Sequence, residues 1–348
     1  MGKKSGVHTK LIIGLAISAI FLWLAFRKVD INQMLDAFSH VKYGYVLLGI
    51  LTILVAHAIR AYRWGFLIEP IKHTRFISLF SALLIGYMAN NFLPAHLGEF
   101  LRAYVIGKKE KISGSSAFAT VALERVIDVI TLLIITAVVL ITKPFPENVQ
   151  IPNEVVTSGY IMFVATAFLF GFLVLLKMRT EFALRVVRFF CKPLKQTLTE
   201  KIENILLDFT KGIVPLKRKI DYGIVVITSI VMWAFYALMT IFGFYAFDFI
   251  AVYNLNFIAA VVVLIITTIS IVVPSSPGYI GTYHALCMLS VGLYGVNSSA
   301  GLSFAFVLHA LNFIPVILIG FFFAWKEGLG LSKMSHREEL ELNGGDTE

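Results

Sequence analysis

What most limits the possible folds of this chain is its succession of long apolar runs. A helix crosses the hydrocarbon of a bilayer with about 20 apolar residues. Six runs approach that length: Leu11–Phe26, Tyr43–Ile59, Ser115–Ile141, Gly159–Leu176, Tyr222–Phe247 and Ala300–Trp325. Two more, Phe76–Leu93 and Leu255–Val273, stop abruptly at Pro94 and Pro274. Of the 348 residues, 58% are hydrophobic and 15% charged, against about 45–50% and 25% in a soluble domain. One water-surrounded core cannot bury that excess. The composition excludes a soluble enzyme, a disordered chain and a disulfide scaffold, and it argues against nucleic acid as a partner despite a net charge of +9. The expected fold class is all-α, a polytopic membrane protein.

Cys191 and Cys287 define neither a disulfide framework nor a zinc site. Lys3, Lys4 and Lys10 precede the run Leu11–Phe26 much as in a signal peptide, but no small-residue cleavage site follows. The run is therefore read as a retained first helix.

Orientation follows from lysine and arginine in short loops. Basic residues gather in the N-terminal tail, in 60–75 (Arg60, Arg63, Lys72, Arg75), in 102–111 (Arg102, Lys108, Lys109, Lys111) and in 177–221. Segment 143–158 holds only Lys143, and 248–254 has no basic residue. The basic segments are expected on the cytoplasmic side of the cell membrane, together with both termini. Segments 60–75 and 102–111 then share a side although Phe76–Leu93 separates them. A re-entrant hairpin turning near Pro94 and returning through 95–107 resolves this. In the second half Leu255–Val273 descends from the outside, breaks at Pro274–Gly278 and returns through Gly281–Tyr294, as a second hairpin or as two full spans. Both breaks read Pro-x-x-x-Gly, and paired interruptions in corresponding halves point to an inverted-repeat transporter. The expected architecture is helix, helix, hairpin, helix, repeated in opposite orientation: a transmembrane domain over 1–328, with halves of about 8–142 and 159–328. Segment 177–221 is a basic cytoplasmic linker, with Leu194, Leu198, Ile202, Ile205 and Phe209 at helical spacing. It is either a lipid-attracted surface helix or a plain connection. The acidic tail 329–348 is expected to be disordered.

Charges inside hydrocarbon are costly and need partners or a cavity. Glu124, Arg125 and Asp128 fall within one apolar run. With a rise of about 1.5 Å per residue from Ser115, Glu124 lies about 13 Å along the helix and Asp128 near the midplane. Glu124 and Asp128 share a face, and Arg125 and Asp128 can pair. Their formal sum of −1 invites a further cation, for which Arg102 is the candidate. The reading is open between an ionisable path and a packing salt bridge.

The first break carries Asn90, Asn91, Pro94, Gly98, Glu99 and Arg102. Glu99 and Arg102 can bridge each other, or Arg102 can hold an anionic head group with its planar fork. The second break offers Pro274, Ser275, Ser276, Pro277, Gly278, Gly281, Tyr283 and His284 and no acid. Backbone amides after Gly278 can face an anion, or the turn is purely structural. His309 and Asn312 on the last run read as interhelical hydrogen-bonding groups. The phosphate-binding loop motif, zinc-protease motif and serine–histidine–acid elbow are missing, which argues against an enzyme and implies no cofactor or metal.

The string Asn91-Phe92-Leu93-Pro94 through Gly98-Glu99-x-x-Arg102, then Glu124-Arg125-x-x-Asp128, then Pro274-x-x-Pro277-Gly278-x-x-Gly281 resembles the lysylphosphatidylglycerol synthase transmembrane-region family, also called flippase-like domain proteins. The resemblance covers about residues 8–328. It implies a multi-pass cytoplasmic-membrane protein of bacteria and archaea; in the family's multiple peptide resistance factors this region is held to move a modified phospholipid between leaflets. The soluble aminoacyltransferase domain of the family's multiple peptide resistance factors is missing here, so synthase activity is not implied. The chain departs from the family pattern at His96, where many members have arginine, and at Tyr283 and His284, where many have glutamate. Three functions stay open. One is a flippase-like transporter of an anionic phospholipid or polyprenyl-phosphate-linked lipid. Another is an accessory subunit presenting lipid to a separate glycosyltransferase or synthase. The third is a membrane enzyme with Glu99 or Asp128 as general base.

Overall fold

A computed structural model describes residues 29–93, 97–142, 214–272 and 277–328, together with scattered positions between 20 and 26 and between 157 and 207. The expected first helix, the run Gly159–Leu176, most of the linker 177–221 including Cys191, the tail 329–348, and Pro94, Ala95, His96, Pro274, Ser275 and Ser276 lie outside the described residues, apart from those scattered positions.

Among the described residues the secondary structure is helical throughout, with no strand. The protein is an all-α membrane protein. In chain order the helices are α1 Ile31–Ser39, α2 Tyr43–Ile68, α3 Phe76–Phe92, α4 Gly98–Glu110, α5 Gly114–Thr142, α6 Lys219–Ala246, α7 Phe249–Tyr253, α8 Phe257–Val272, α9 Thr282–Gly292 and α10 Ser298–Lys326. By length and composition α2, α6 and α10 can each cross a membrane, and α3 is a shorter apolar helix. Side chains start several of the helices. Asp30 accepts from the amides of Asn32 and Gln33 ahead of α1, and Asn297 accepts from Ala300 ahead of α10.

One boundary corrects the sequence reading. The second apolar run does not end at Ile59: α2 continues to Ile68, and Arg60 and Arg63 lie inside it, both buried. They were expected in a cytoplasmic loop. The helix continues because no breaker occurs before Pro70, and Trp64, Leu67 and Ile68 supply a further buried face.

α2 and α6 run antiparallel along their length. At one end Lys42 pairs with Asp248 at 2.6 Å and Tyr45 stacks on Tyr245; at the other Lys217 reaches Glu69 at 3.1 Å. α3 and α4 form a hairpin whose free ends meet, since Lys72 Nζ donates to the Glu110 carbonyl at 2.5 Å. Lys109 pairs with Glu327 at the same end. The mouth of this hairpin therefore lies at the Glu69–Lys217 end of the molecule. α8 and α9 form the other hairpin. Its outer residues Leu255 and Val296 share a core with Phe249, beside Asp248, so its mouth lies at the opposite end. α10 packs along α3 and joins the two hairpins: Gly320 lies so close to α3 that an added Cβ would stand 2.6 Å from the Leu84 carbonyl oxygen.

Candidate functional site

The site begins at the close approach of α3 and α4. A Cβ added at Gly98 would lie 2.0 Å from the Gly86 carbonyl oxygen, so only glycine lets the two arms meet this way. Asn90 Oδ1 accepts from the Gly98 amide at 2.8 Å, satisfying a donor left free at the start of α4. Asn91 Nδ2 donates to the Tyr87 carbonyl at 2.8 Å. These contacts turn the first face of α4 toward α5 and bring Glu99 and Arg102 to the middle of that helix.

There a single ion network forms. Glu124 is wholly buried; Arg102 grips it at 2.7 and 3.3 Å, and Arg60 adds a third contact at 2.9 Å. Asp128 takes Arg60 and Arg63 at 2.5 Å each, with Arg125 at 3.5 Å. Arg63 also donates to Ser229 Oγ at 2.7 Å, and Arg60 Nε to the Tyr236 hydroxyl at 3.2 Å, which ties the network to α6. The Arg102 guanidinium lies 3.7 Å over the Trp64 ring, and the Trp64 indole donates to Thr120 Oγ1 at 2.9 Å. Burying charge is tolerable only with such dense pairing. Even so the count among the described residues is uneven: Arg60, Arg63, Arg102 and Arg125 face Glu99, Glu124 and Asp128, an excess of one positive charge.

Two expected pairings change. Glu99 does not bridge Arg102. It pairs with Arg125 at 2.9 Å, because Arg102, one turn further on, points at Glu124. Nor is Arg102 free for a head group: its side chain is 0% exposed, enclosed by Glu124 and Trp64. Arg125 is the open member, with its side chain 36% exposed beside a Glu99 that is 15% exposed. Its Nη2 also donates to the Tyr87 hydroxyl at 3.0 Å, while its Nε has no partner.

The second break meets the first here. An added Cβ at Gly278 would lie 3.8 Å from the Asn91 carbonyl oxygen, one turn from Tyr87. Gly278 has φ 72° and Gly281 φ 95°, conformations that glycine adopts without strain. Two histidines brace this turn. His309 Nε2 donates to the Gly278 carbonyl at 2.9 Å, and His284 Nδ1 accepts from the Gly281 amide at 3.3 Å. His284 Nε2 thereby carries the proton and has no acceptor. Tyr283 packs on His309 and Phe313. His284 is thus placed as a brace of the turn rather than beside the ions.

Arg60, Arg63, Trp64, Tyr87 and Tyr236 belong to the site although the sequence reading did not select them. A signal was present for the arginines: their spacing of three matches one helix face, in phase with His57 and Trp64. Among the described residues, no group of three or more metal-ligating side chains is found.

Fold and site together define a polytopic all-α membrane protein with a charged interior where two chain breaks touch. The chain belongs to the lysylphosphatidylglycerol synthase TM region family, whose model matches residues 11–320. It is 24% identical to a UPF0104 membrane protein of Methanocaldococcus jannaschii over 90% of this chain and 94% of the relative. It is also 24% identical to a UPF0104 membrane protein of Methanothermobacter thermautotrophicus, over 89% of this chain and 92% of the relative. A more distant likeness, 23% identity over 89% of this chain, covers 53% of the glycosyltransferase AglD of Haloferax volcanii. No solved structure matches the chain.

Proposed function

We propose that this protein is a flippase-like transporter, not an enzyme: it receives an anionic lipid head group at Arg125 and passes it between the leaflets of the cytoplasmic membrane. One observation carries the reading: a partly exposed arginine stands where both chain breaks meet, above a buried network with one uncompensated positive charge. A phosphate oxygen pair fits a guanidinium fork, and a polar path through hydrocarbon needs fixed, paired charges along its wall. The two halves, about 8–142 and 159–328, act as opposed repeats, with hairpin mouths at opposite ends of the molecule. The end bearing Lys72, Arg75, Lys108, Lys109, Lys111, Lys217 and Arg218 faces the cytoplasm, by the charge rule for short loops. The lipid is an anionic phospholipid or a polyprenyl-phosphate-linked lipid.

The test is leaflet exchange of fluorescent phosphatidylglycerol in vesicles containing purified protein. Arg125→Gln is expected to abolish exchange while the protein still elutes as a folded species. Exchange at the wild-type rate by folded Arg125→Gln would remove the proposed role.

The AglD likeness supports a second reading, in which the protein presents lipid to a separate glycosyltransferase or synthase. That reading predicts no exchange by the protein alone and lipid turnover only when the partner enzyme is added.

A further inference from the structure

The charges around Arg125 can be counted, and the count says which head group balances them. We infer that the site is matched to a head group carrying one negative charge, a phosphodiester lipid, and that Glu99 sets that number. The inference rests on the reading above that Arg125 meets lipid phosphate, and adds the charge that the site accepts.

Among the described residues four guanidinium groups and three carboxylates form the network. His57 lies buried between Tyr87 and Tyr236, its Nδ1 has no hydrogen-bond partner among the described residues, and it is counted neutral. An unmatched buried charge is costly, so the network favours whatever neutralises it. A phosphodiester brings one negative charge and leaves the site neutral. A phosphomonoester or diphosphate overshoots, and its extra charge lies beside the Glu99 carboxylate. A zwitterionic head group leaves the excess in place. Lysylphosphatidylglycerol, with two ammonium groups and one phosphate, adds to it.

Glu99 is the adjustable member. Among the described residues Glu124 and Asp128 each hold three arginines within 4 Å, whereas Glu99 holds Arg125 alone. Its second oxygen, Oε2, is buried and has no hydrogen-bond partner among the described residues. Phosphate and Glu99 therefore compete for the same guanidinium, and removing the Glu99 charge leaves room for a second negative charge on the ligand. The three inner arginines do not change partners in this exchange, because Arg102 is enclosed by Trp64 and Glu124, and Arg63 by Ser229 and Asp128.

The experiment uses the full chain in phosphatidylcholine discs, offered equal amounts of phosphatidylglycerol, phosphatidic acid at pH 8 (between one and two negative charges), phosphatidylethanolamine and lysylphosphatidylglycerol. Retained lipid is read by native mass spectrometry. Wild type is expected to retain phosphatidylglycerol over each of the others. Glu99→Gln is expected to shift the ratio toward phosphatidic acid by about tenfold or more, and Glu99→Asp to keep the wild-type ranking. An unchanged ranking in Glu99→Gln, or a wild-type preference for the zwitterionic or cationic lipid, overturns the inference. If Glu99→Gln does not fold, the wild-type ranking alone decides. Soluble glycerophosphoglycerol is added as a competitor. Displacement at concentrations similar to the lipid's would assign the match to a water-borne diester and overturn the lipid assignment. Failure of the underlying reading has a different signature: Arg125→Gln would retain every lipid as wild type does.

Discussion

The break between α3 and α4 delivers two ions to the protein interior, Glu99 and Arg102; the break between α8 and α9 delivers none and is braced by His284 and His309. Their glycines differ in the same way. Gly86 and Gly98 serve close approach, with negative φ and no room for a Cβ, whereas Gly278 and Gly281 serve positive φ. The first break is thus part of the ion network, and the second is a neutral support laid against it at Asn91. Similar Pro-x-x-x-Gly strings carry different chemistry because the helix that follows each break opens differently: with Glu99 and, one turn on, Arg102 in one, with Tyr283 and His284 in the other.

The largest expected effect comes from breaking the network behind the first hairpin. Glu124→Gln leaves Arg102 without a buried counter-charge, and removing one partner of such a pair costs about 3–5 kcal/mol. Thermal unfolding in detergent is expected to show a loss of this order, against a smaller loss for the more exposed Arg125→Gln. Equal losses would show that Arg125 is as embedded as Arg102.

Next in size is a pair of glycine replacements that sets the two breaks directly against each other. Gly98→Ala drives a methyl group into the Gly86 carbonyl, and overpacking of this kind costs about 1–3 kcal/mol or more. Gly278→Ala has space around it but takes on a left-handed backbone, at about 1–2 kcal/mol. Gly98→Ala is expected to impair lipid retention as well as stability, since it moves Arg102 and Glu99. Gly278→Ala is expected to lower stability and leave retention nearer wild type. The reverse order would make the second break the functional one.

A smaller effect belongs to His309. Replacing it with phenylalanine keeps the aromatic packing but leaves the Gly278 carbonyl without its donor. Loss of one such hydrogen bond costs about 1–3 kcal/mol when the acceptor is left buried. Faster amide exchange confined to 277–284 is the expected signature.

The smallest concerns the end of the molecule where the first hairpin opens. Burial disfavours the charge on Glu69, but hydrogen bonds from Lys217 and His73 outweigh it and hold the carboxyl below the usual range. A depressed pKa adds stability above the unfolded carboxylate value, and that stability is lost as pH falls through the folded value. The pair is partly exposed, so the effect is expected to stay below about 1 kcal/mol. Glu69→Gln is expected to flatten the acid limb of the thermal stability profile by that amount and leave neutral-pH lipid retention unaltered.

The helical class, four of the described long helices and both breaks were legible in the sequence, because apolar run length and proline are local signals. The pairing of Arg125 with Asp128 was legible too, being three residues apart on one helix. Arg60 and Arg63 were not. In a linear reading basic residues after an apolar run belong to a loop, and only the continued burial of Trp64, Leu67 and Ile68 keeps the helix going. The Glu99 partner was not legible for a related reason: within α4 Arg102 is its neighbour, yet it is Arg125 on α5 that pairs with it.

By itself the sequence determined that this chain lives in a membrane, that it is helical, and that charges lie deep within it, since hydropathy and breakers act along the chain. Tertiary structure alone decided which charges meet across helices, and left Arg125 as the open one. A buried ion is stabilised by whatever packs across from it, and the five helices that enclose this network come from residues as far apart as Arg60 and Tyr236.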